Sequence, residues 1–354
     1  AGRGPRAVGL FAAVGGDGLK EGRDAARRSR AVHTPSPPAS IVVNTLSHLS
    51  EFDRRGTFGC MRMRVIFPIL AIAMASVVTP ALPDPPQGSH AACPTDPELA
   101  RLMAASELVV VGKTTVPRDA LQRAGEQPHG AYVNMPIRVE GVVKGHQTRE
   151  LTLRYFASDE FDGPKRANLL ELDDRSALFF LTSSDEEPDV FYFAGYTAAA
   201  IQPATEPAVD AARTEADRQR RIDRGWWIDK KAPHFAEVHK LISELGVVED
   251  DRQQKVFDRL VRLGEPAIPA IVALMDDRRM LKTPSVVLEN RAVNRFEKLR
   301  HYSPKQVVDG LAAVLNQVTH SSYGFIQNGA TPSKRDATVA GWRVHASDLP
   351  CGKH

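Results

Sequence analysis

The spacing of hydrophobic positions first indicates a β-rich region. Between residues 108 and 196, apolar side chains alternate with polar ones or form short continuous runs, which is typical of β-strands. The predicted strands are residues 108–111, 133–139, 151–155, 177–181 and 190–196. Five short strands separated by turn residues predict a small antiparallel barrel or sandwich. Pro136 lies inside the second strand, and because proline cannot donate to a ladder, we expect an edge position or a bulge there.

Beyond Pro233 the spacing changes to the period of an α-helix. Apolar stripes predict helices over residues 235–245, 256–263 and 268–275, and Gly246 and Gly264 end the first two. Residues 278–300 have a mixed pattern and predict a long loop or a short helix. Ser303 is the predicted N-cap of a further helix that runs to residue 318, and Thr331 opens a last helix that continues through residue 342. Together with the strands, this pattern predicts an α+β protein.

Part of the β region resembles a known family. Cys93 is followed by ASELVVVGK at residues 105–113 and IRVEGVVKG at residues 137–145. This order is similar to the netrin-like modules, which include the inhibitory domains of tissue inhibitors of metalloproteinases and exported bacterial relatives. The resemblance covers about residues 93–203 and implies a five-stranded OB-type barrel. It also implies protease inhibition if Cys93 is the first residue of the mature chain, because an N-terminal cysteine of those inhibitors chelates the protease zinc.

The helical region, about residues 234–345, resembles a second family. LGEPAIPAI at residues 263–271, followed by Asp276 and Asp277, is similar to HEAT-type repeats. The resemblance implies that a glycine turn joins two antiparallel helices. One such unit cannot bury both of its faces, so neighbouring helices must cover it.

Composition excludes several classes of protein. The chain has 354 residues, of which 42% are hydrophobic and 25% are charged, so it is not a polytopic membrane protein, a collagen-like fibre or a wholly disordered chain. Its net charge of +3 comes from the front, where residues 1–81 carry eleven basic and five acidic side chains, whereas the remainder is mildly acidic. A nucleic-acid partner is therefore not predicted.

The front of the chain has the pattern of an export signal. Met61-Arg62-Met63-Arg64 precedes an uncharged, mostly apolar run at residues 65–78, and Ala81 ends a small-residue segment that is suited to cleavage. We expect residues 1–60 to be a disordered leader or an over-extended start, and residues 61–81 to be a signal peptide. A membrane anchor or a buried core segment is the alternative interpretation. Export predicts a periplasmic or secreted protein without an integral membrane span in the mature chain.

The expected mature chain divides into three parts. Residues 82–204 form the β domain, residues 205–231 a charged linker helix, and residues 232–354 the helical domain. Five arginines in the linker beside Trp226 and Trp227 could bind phosphates or single strands, but the interleaved acidic residues favour a solvated helix face. Cys93 and Cys351 remain after cleavage. They could form a disulfide in an oxidising compartment, or they could be two unrelated thiols.

Candidate chemistry is concentrated between residues 278 and 343. Polar and aromatic groups there could converge on a pocket, or they could cap and pin loops around the helices. The predicted binding residues are Arg278, Arg279, His301, Tyr323, Asn328, Trp342 and Arg343. No catalytic motif occurs, and His234 and His239 lie five residues apart, which does not suit a zinc helix. No catalytic residue, metal or cofactor is predicted.

These patterns predict an exported, non-enzymatic protein that binds another protein or is associated with the cell envelope. Two alternatives stay open. One is a netrin-like inhibitor of an extracellular metalloprotease, and the other is an uncharacterised hydrolase that uses the polar groups of the helical domain. The sequence leaves the oligomeric state open.

Overall fold

The fold begins with a short helix, continues into a β-barrel and ends with packed helices. The computed structural model describes residues 92–352, apart from residues 128, 159–162, 188, 196 and 292–296. The leader and signal peptide predicted for residues 1–81 lie outside the described residues. In the described part the strands are β1 (Leu108–Thr114), β2 (Ala131–Lys144), β3 (Glu150–Ala157), β4 (Ala177–Ser183), β5 (Val190–Phe193), β6 (Ile201–Pro203), β7 (Val286–Glu289) and β8 (Leu299–Tyr302). The α-helices are α1 (Pro97–Ala105), α2 (Arg118–Gly125), α3 (Arg166–Glu171), α4 (Glu206–Arg224), α5 (Phe235–Glu244), α6 (Asp250–Leu263), α7 (Ile268–Ala273), α8 (Val307–Thr319) and α9 (Pro332–Asp348).

Strands β1–β5 form a closed barrel. β1 pairs with both β2 and β4, β2 pairs with β3, β3 runs parallel to β5, and β5 returns to β4. β6 pairs with β4 on the same edge as β5. The predicted α+β class is therefore confirmed, and the five predicted strands coincide with β1–β5, although β5 ends at Phe193 and its pairing with β3 is parallel, not antiparallel as predicted. The alternation that predicted the strands places Val133, Met135 and Leu153 inside the barrel, where they are buried.

Pro136 occupies a local edge of β2. The last pair between β1 and β2 joins Thr114 to Ile137, so Pro136 lies one residue beyond this ladder. Its carbonyl oxygen accepts a hydrogen bond from Thr114 Oγ1 at 2.9 Å. The N–H that proline lacks would point to this same side, where the strand pairing has ended. β2 is not an edge strand, since it pairs with both β1 and β3, but Pro136 lies where the pairing with β1 has ended.

One outer face of the barrel is covered by helices. Val109 of β1 and Phe180 of β4 point away from the interior and pack against Met103 of α1 and Ala216 of α4. α1 in turn contacts α9. Gly341 permits this approach, because a Cβ there would lie 2.7 Å from the carbonyl oxygen of Ala104. The described residues belong to one compact unit, and the predicted domain bounds stay a prediction.

The helical part is built around α8. Its residues from Val307 to Leu315 are all buried, and α6, α7 and α9 pack around it. The helix begins at Val307 with Gln306 as its N-cap, so the start predicted at Ser303 is wrong. Thr331 caps α9 as expected, but the helix continues to Asp348.

The prediction of a long loop or a short helix over residues 278–300 missed two strands that lie among the described residues of this segment. These are β7 and the start of β8, an antiparallel pair in which Val286 faces Tyr302. Val286 and Leu288 are buried, and β7 contacts α6 and α8. Gln254 Nε2 also donates to the carbonyl oxygen of Val287 at 2.7 Å, and the backbone N–H of Val287 donates to Gln254 Oε1 at 3.0 Å. Two buried positions in a four-residue strand are too few to establish a period of two, and the stabilising contacts are distant in sequence.

A half-buried lysine joins the end of β2 to α1 and α4. Lys144 Nζ donates to the carbonyl oxygen of Met103 at 2.5 Å and to Gln219 Oε1 at 3.4 Å. Burial lowers the pKa of Lys144 to about 8, although nearby Glu215 and Glu107 act in the opposite direction.

This lysine makes the stability of the protein depend on pH. The pKa of lysine in an unfolded chain is about 10.4, so between pH 8 and 10.4 the unfolded state binds more protons than the folded state. The free energy of unfolding should therefore rise across this window, and the contribution is lost as the pH falls through 8. Between pH 7 and 10.5, the free energy of unfolding of the wild type should rise by up to about 3 kcal/mol relative to that of Lys144→Met, as measured by urea unfolding. A difference between the two proteins that does not change with pH would contradict this assignment.

Candidate functional site

The structure distributes the seven predicted binding residues over four places. Arg278, Arg279 and Arg343 line one open groove of about 860 Å³, together with Trp226 and Ile228. Tyr323 and Trp342 pack together beside the C-terminal half of α9. His301 lies on β8 and Asn328 in the turn before α9. The seven residues do not meet in a single pocket.

The three arginines of the open groove each contact a carboxylate. Arg278 Nη2 lies 2.7 Å from Asp336 Oδ1, and Arg343 Nη1 lies 2.7 Å from Asp223 Oδ1. Arg279 bonds the Asp277 carboxylate and also donates from Nη2 to the carbonyl oxygen of Ile242 at 2.9 Å, which satisfies the end of α5. These arginines connect loops and helix ends, which favours the structural interpretation of this cluster.

Tyr323 and Trp342 belong to the core between α1, α7 and α9. Trp342 is 1% exposed, and its ring meets Tyr323 edge-on at 4.8 Å. The Tyr323 hydroxyl lies 3.0 Å from His345 Nδ1. Burial raises the pKa of Tyr323 to about 12 and lowers the pKa of His345, so both groups are neutral near pH 7 and share one hydrogen bond. Tyr323 and His345 also line a pocket of about 430 Å³ next to Cys351.

His301 and Asn328 have separate environments. His301 is exposed and lines a shallow depression of about 310 Å³ together with Tyr302 and Phe325. Asn328 Oδ1 accepts a hydrogen bond from the backbone N–H of Ser303 at 2.9 Å. Asn328 therefore holds the segment that precedes α8.

Cys93 and Cys351 are joined by a disulfide, with their Cα atoms 5.7 Å apart. The bond connects the segment before α1 to the 3₁₀ turn that follows α9. Nearby, Arg218 of α4 forms a buried ion pair with Glu215 at 2.7 Å and bonds Asp348 of α9 at 2.7 Å. The two ends of the described chain are thus held at one place.

A groove that sequence reasoning missed lies on the second outer face of the barrel. It measures about 530 Å³, and we call it the aromatic groove. Its side chains come from β2, β3, β5, the end of β4, the loop between β4 and β5, and the segment around the start of α9. The lining includes Tyr132, Arg154, Phe156, Ser183, Asp185, Glu186, Tyr192, Phe325 and Lys334.

Strand alternation places the aromatic rings of this groove outside the barrel. Val133 and Met135 of β2 point inward, so Tyr132 and Asn134 point outward. The register pairs Tyr132 with Phe156 of β3, and their ring centroids lie 5.0 Å apart. Tyr192 of β5 meets Tyr132 edge-on at 6.3 Å. Tyr132 nevertheless remains 62% exposed, which is unusual for a large ring and marks an accessible surface.

Arg154 lies among these rings in a fixed orientation. Its Nη1 and Nη2 atoms donate to the two carboxylate oxygens of Glu187 at 2.7 and 3.0 Å, and its Nε donates to Asn134 Oδ1 at 3.0 Å. The hydrogen bonds between Arg154 and Glu187 raise the pKa of Arg154 and lower the pKa of Glu187, so both groups stay charged. The guanidinium is already neutralised by a carboxylate.

The loop between β4 and β5 forms an acidic rim of the groove. Residues 184–189 contain Asp185, Glu186, Glu187 and Asp189. Lys334 of α9 reaches across to Asp185, with Nζ 3.1 Å from Oδ1. At the end of β4, the hydroxyls of Thr182 and Ser183 donate to the Glu107 carboxylate at 2.6 Å each. The groove therefore combines aromatic faces, hydroxyl groups and an excess of carboxylates.

None of the aromatic groove's side chains is among the seven predicted residues. The signal that could have revealed it is an aromatic residue at a polar position of the alternation, which occurs at Tyr132, Phe156 and Tyr192. Their convergence depends on the order of the strands, which alternation alone does not predict.

Comparison with known proteins does not identify a relative. No protein-family model matches the chain, and no curated protein matches it. Within the described residues, no helix is long and apolar enough to cross a membrane. The same part of the chain contains no group of three His, Cys, Asp or Glu side chains that could hold a metal ion.

Proposed function

We propose that this chain is an exported, non-enzymatic binding protein that takes a peptide segment of a partner protein in its aromatic groove. The observation that carries the proposal is the cluster of Tyr132, Phe156 and Tyr192 on a barrel face that remains accessible, while the opposite face is buried under α1 and α4. Exposed aromatic rings that are fixed on a rigid sheet provide large contact area at a low entropic cost, which suits a binding surface.

We further propose that the barrel is of the OB type and that the helices are HEAT-like. The strand order β1-β2-β3-β5-β4, closed by the β1–β4 pair, and the parallel pairing of β3 with β5 support the first assignment. OB-type barrels bind ligands over strands 2 and 3 and the loop between strands 4 and 5, where the aromatic groove lies. For the second assignment, the support is the turn at Gly264, with φ of +70°, between α6 and the segment leading to α7.

Export of the protein is part of the proposal. A disulfide between Cys93 and Cys351 supports it, because disulfides form and persist in oxidising compartments. Extraction of the protein from intact cells by osmotic shock, with the disulfide formed, would agree with export. Recovery only from the cytoplasmic fraction with two free thiols would argue against it.

Replacing Tyr132 with alanine tests the binding surface. Peptides selected from a phage-displayed library of dodecapeptides on the full chain should bind Tyr132→Ala at least about tenfold more weakly, since a central aromatic contact is lost. Because Tyr132 is 62% exposed, the unfolding temperature should barely change. Met280→Ala, at a side chain 60% exposed outside the groove, is the control and should bind as the wild type does. Equal binding by both variants would contradict the proposed site.

A further inference from the structure

We propose that the ligand of the aromatic groove is a cationic peptide segment, with lysine or arginine next to apolar residues. The inference rests on the proposed function and specifies the chemistry of the partner. It is argued from the charges on the rim and from the rings beside them.

The acidic rim carries more carboxylates than the groove has cationic side chains to pair with them. Glu187 is taken by Arg154, and Asp185 by Lys334. Glu186 lines the groove and has no ion-pair partner among the described residues, and Asp189 of the same loop likewise has none there. Asp189 is not part of the groove lining, so Asp185, Glu186 and Glu187 against Arg154 and Lys334 leave a net charge of −1 around the opening. A positively charged segment would complement this field.

The aromatic rings favour the same ligand. A ring face carries a partial negative charge and attracts ammonium and guanidinium groups, and Tyr132 offers such a face to solvent. The apolar stems of lysine and arginine can also pack along Phe156 and Tyr192 while their charged ends reach Glu186. A peptide that alternates basic and apolar side chains would use both features of the groove.

The same charges oppose a nucleic acid, although stacked rings on a barrel can bind single strands. Such binding needs cations that are free to meet phosphates. Here the Arg154 guanidinium is held by both oxygens of Glu187, and Lys334 is paired with Asp185. Phosphates would also meet the carboxylate of Glu186.

Selection and charge reversal together test the inference. Dodecapeptides selected on the full chain should carry a net positive charge, and a fluorescein-labelled copy of the strongest binder should be measured by fluorescence anisotropy. Glu186→Lys should weaken its binding roughly three- to tenfold, and added salt should weaken binding to the wild type. Glu171→Lys, the same charge change at an exposed carboxylate outside the groove lining, should have little effect.

The outcomes separate this inference from the proposed function. Neutral or acidic peptides that depend on Tyr132 would overturn the cationic ligand while leaving the groove as a binding site. Labelled dT12 that binds the wild type as tightly as the selected peptide and depends on Tyr132 would also overturn it. Failure to select any peptide that depends on Tyr132 would remove both proposals.

Discussion

Replacing Asp309 with alanine is expected to lower the free energy of unfolding by about 3–5 kcal/mol, because a buried ion pair loses one partner. Asp309 is fully buried on α8, and Arg335 of α9 is 6% exposed. The guanidinium donates from Nε to Asp309 Oδ1 at 2.7 Å and from Nη2 to Oδ2 at 2.9 Å. Without the carboxylate, a charged arginine would remain buried without its counter-charge.

The same carboxylate also caps a helix. Asp309 Oδ2 accepts from the backbone N–H groups of Lys305 at 3.0 Å and Gln306 at 2.9 Å, at the N-terminus of α8. Loss of these bonds would leave two backbone donors unsatisfied beside the most buried helix of the core. Asp309→Asn keeps one acceptor oxygen and should be less damaging than Asp309→Ala.

A matched control distinguishes the loss of a buried ion pair from the loss of an exposed one. Asp336 lies on the same helix as Arg335, and its carboxylate contacts Arg278 at the same distance of 2.7 Å, but its side chain is 72% exposed. Because exposed pairs contribute little, Asp336→Ala should cost less than about 1 kcal/mol. Urea unfolding of both variants makes the comparison. A loss for Asp309→Ala no larger than that for Asp336→Ala would show that the buried pair contributes no more than a surface pair.

The strands and most helices could be predicted because their signals are local. Val133, Met135 and Ile137 alternate with polar residues along a long strand. Most residues within α8 are apolar over several turns. β7 could not be predicted in this way, because four residues carry little periodicity and its partners are on α6 and α8. The observed start of α8 differs from the predicted one for a similar reason. Ser303 and Pro304 form a good local signal, but Asp309 caps the helix at Gln306 while it binds the distant Arg335.

The candidate site was predicted less well than the fold. Arg343, Tyr323 and His301 lie near one another in sequence, but the structure separates them into different environments. The aromatic groove gathers Tyr132, Tyr192 and Lys334 from positions about two hundred residues apart. Such a site follows from strand order and from the docking of α9, neither of which is a periodic signal.

The disulfide carries the largest expected effect. Cys93 and Cys351 are separated by 258 residues, so the bond closes almost the whole described chain into a loop. In the chain-entropy account, a cross-link of this length removes about 5 kcal/mol of conformational freedom from the unfolded state. The double variant Cys93→Ser, Cys351→Ser should therefore unfold at a lower urea concentration than the oxidised wild type. Dithiothreitol should lower the stability of the wild type and leave the double variant unchanged.

The slope of the unfolding curve distinguishes the two ways in which the disulfide could act. If it constrains the unfolded chain, its removal lets that chain expand and expose more surface, so the dependence on urea should become steeper. If it holds the folded ends, its removal would loosen the contact of Arg218 with Asp348 and lower the midpoint with no steeper slope. We expect the steeper slope, since the Arg218 cluster and the packing of α1 on α9 already hold these ends together in the folded state. A lower midpoint with an unchanged slope would instead show that the disulfide acts by holding the ends of the folded chain together.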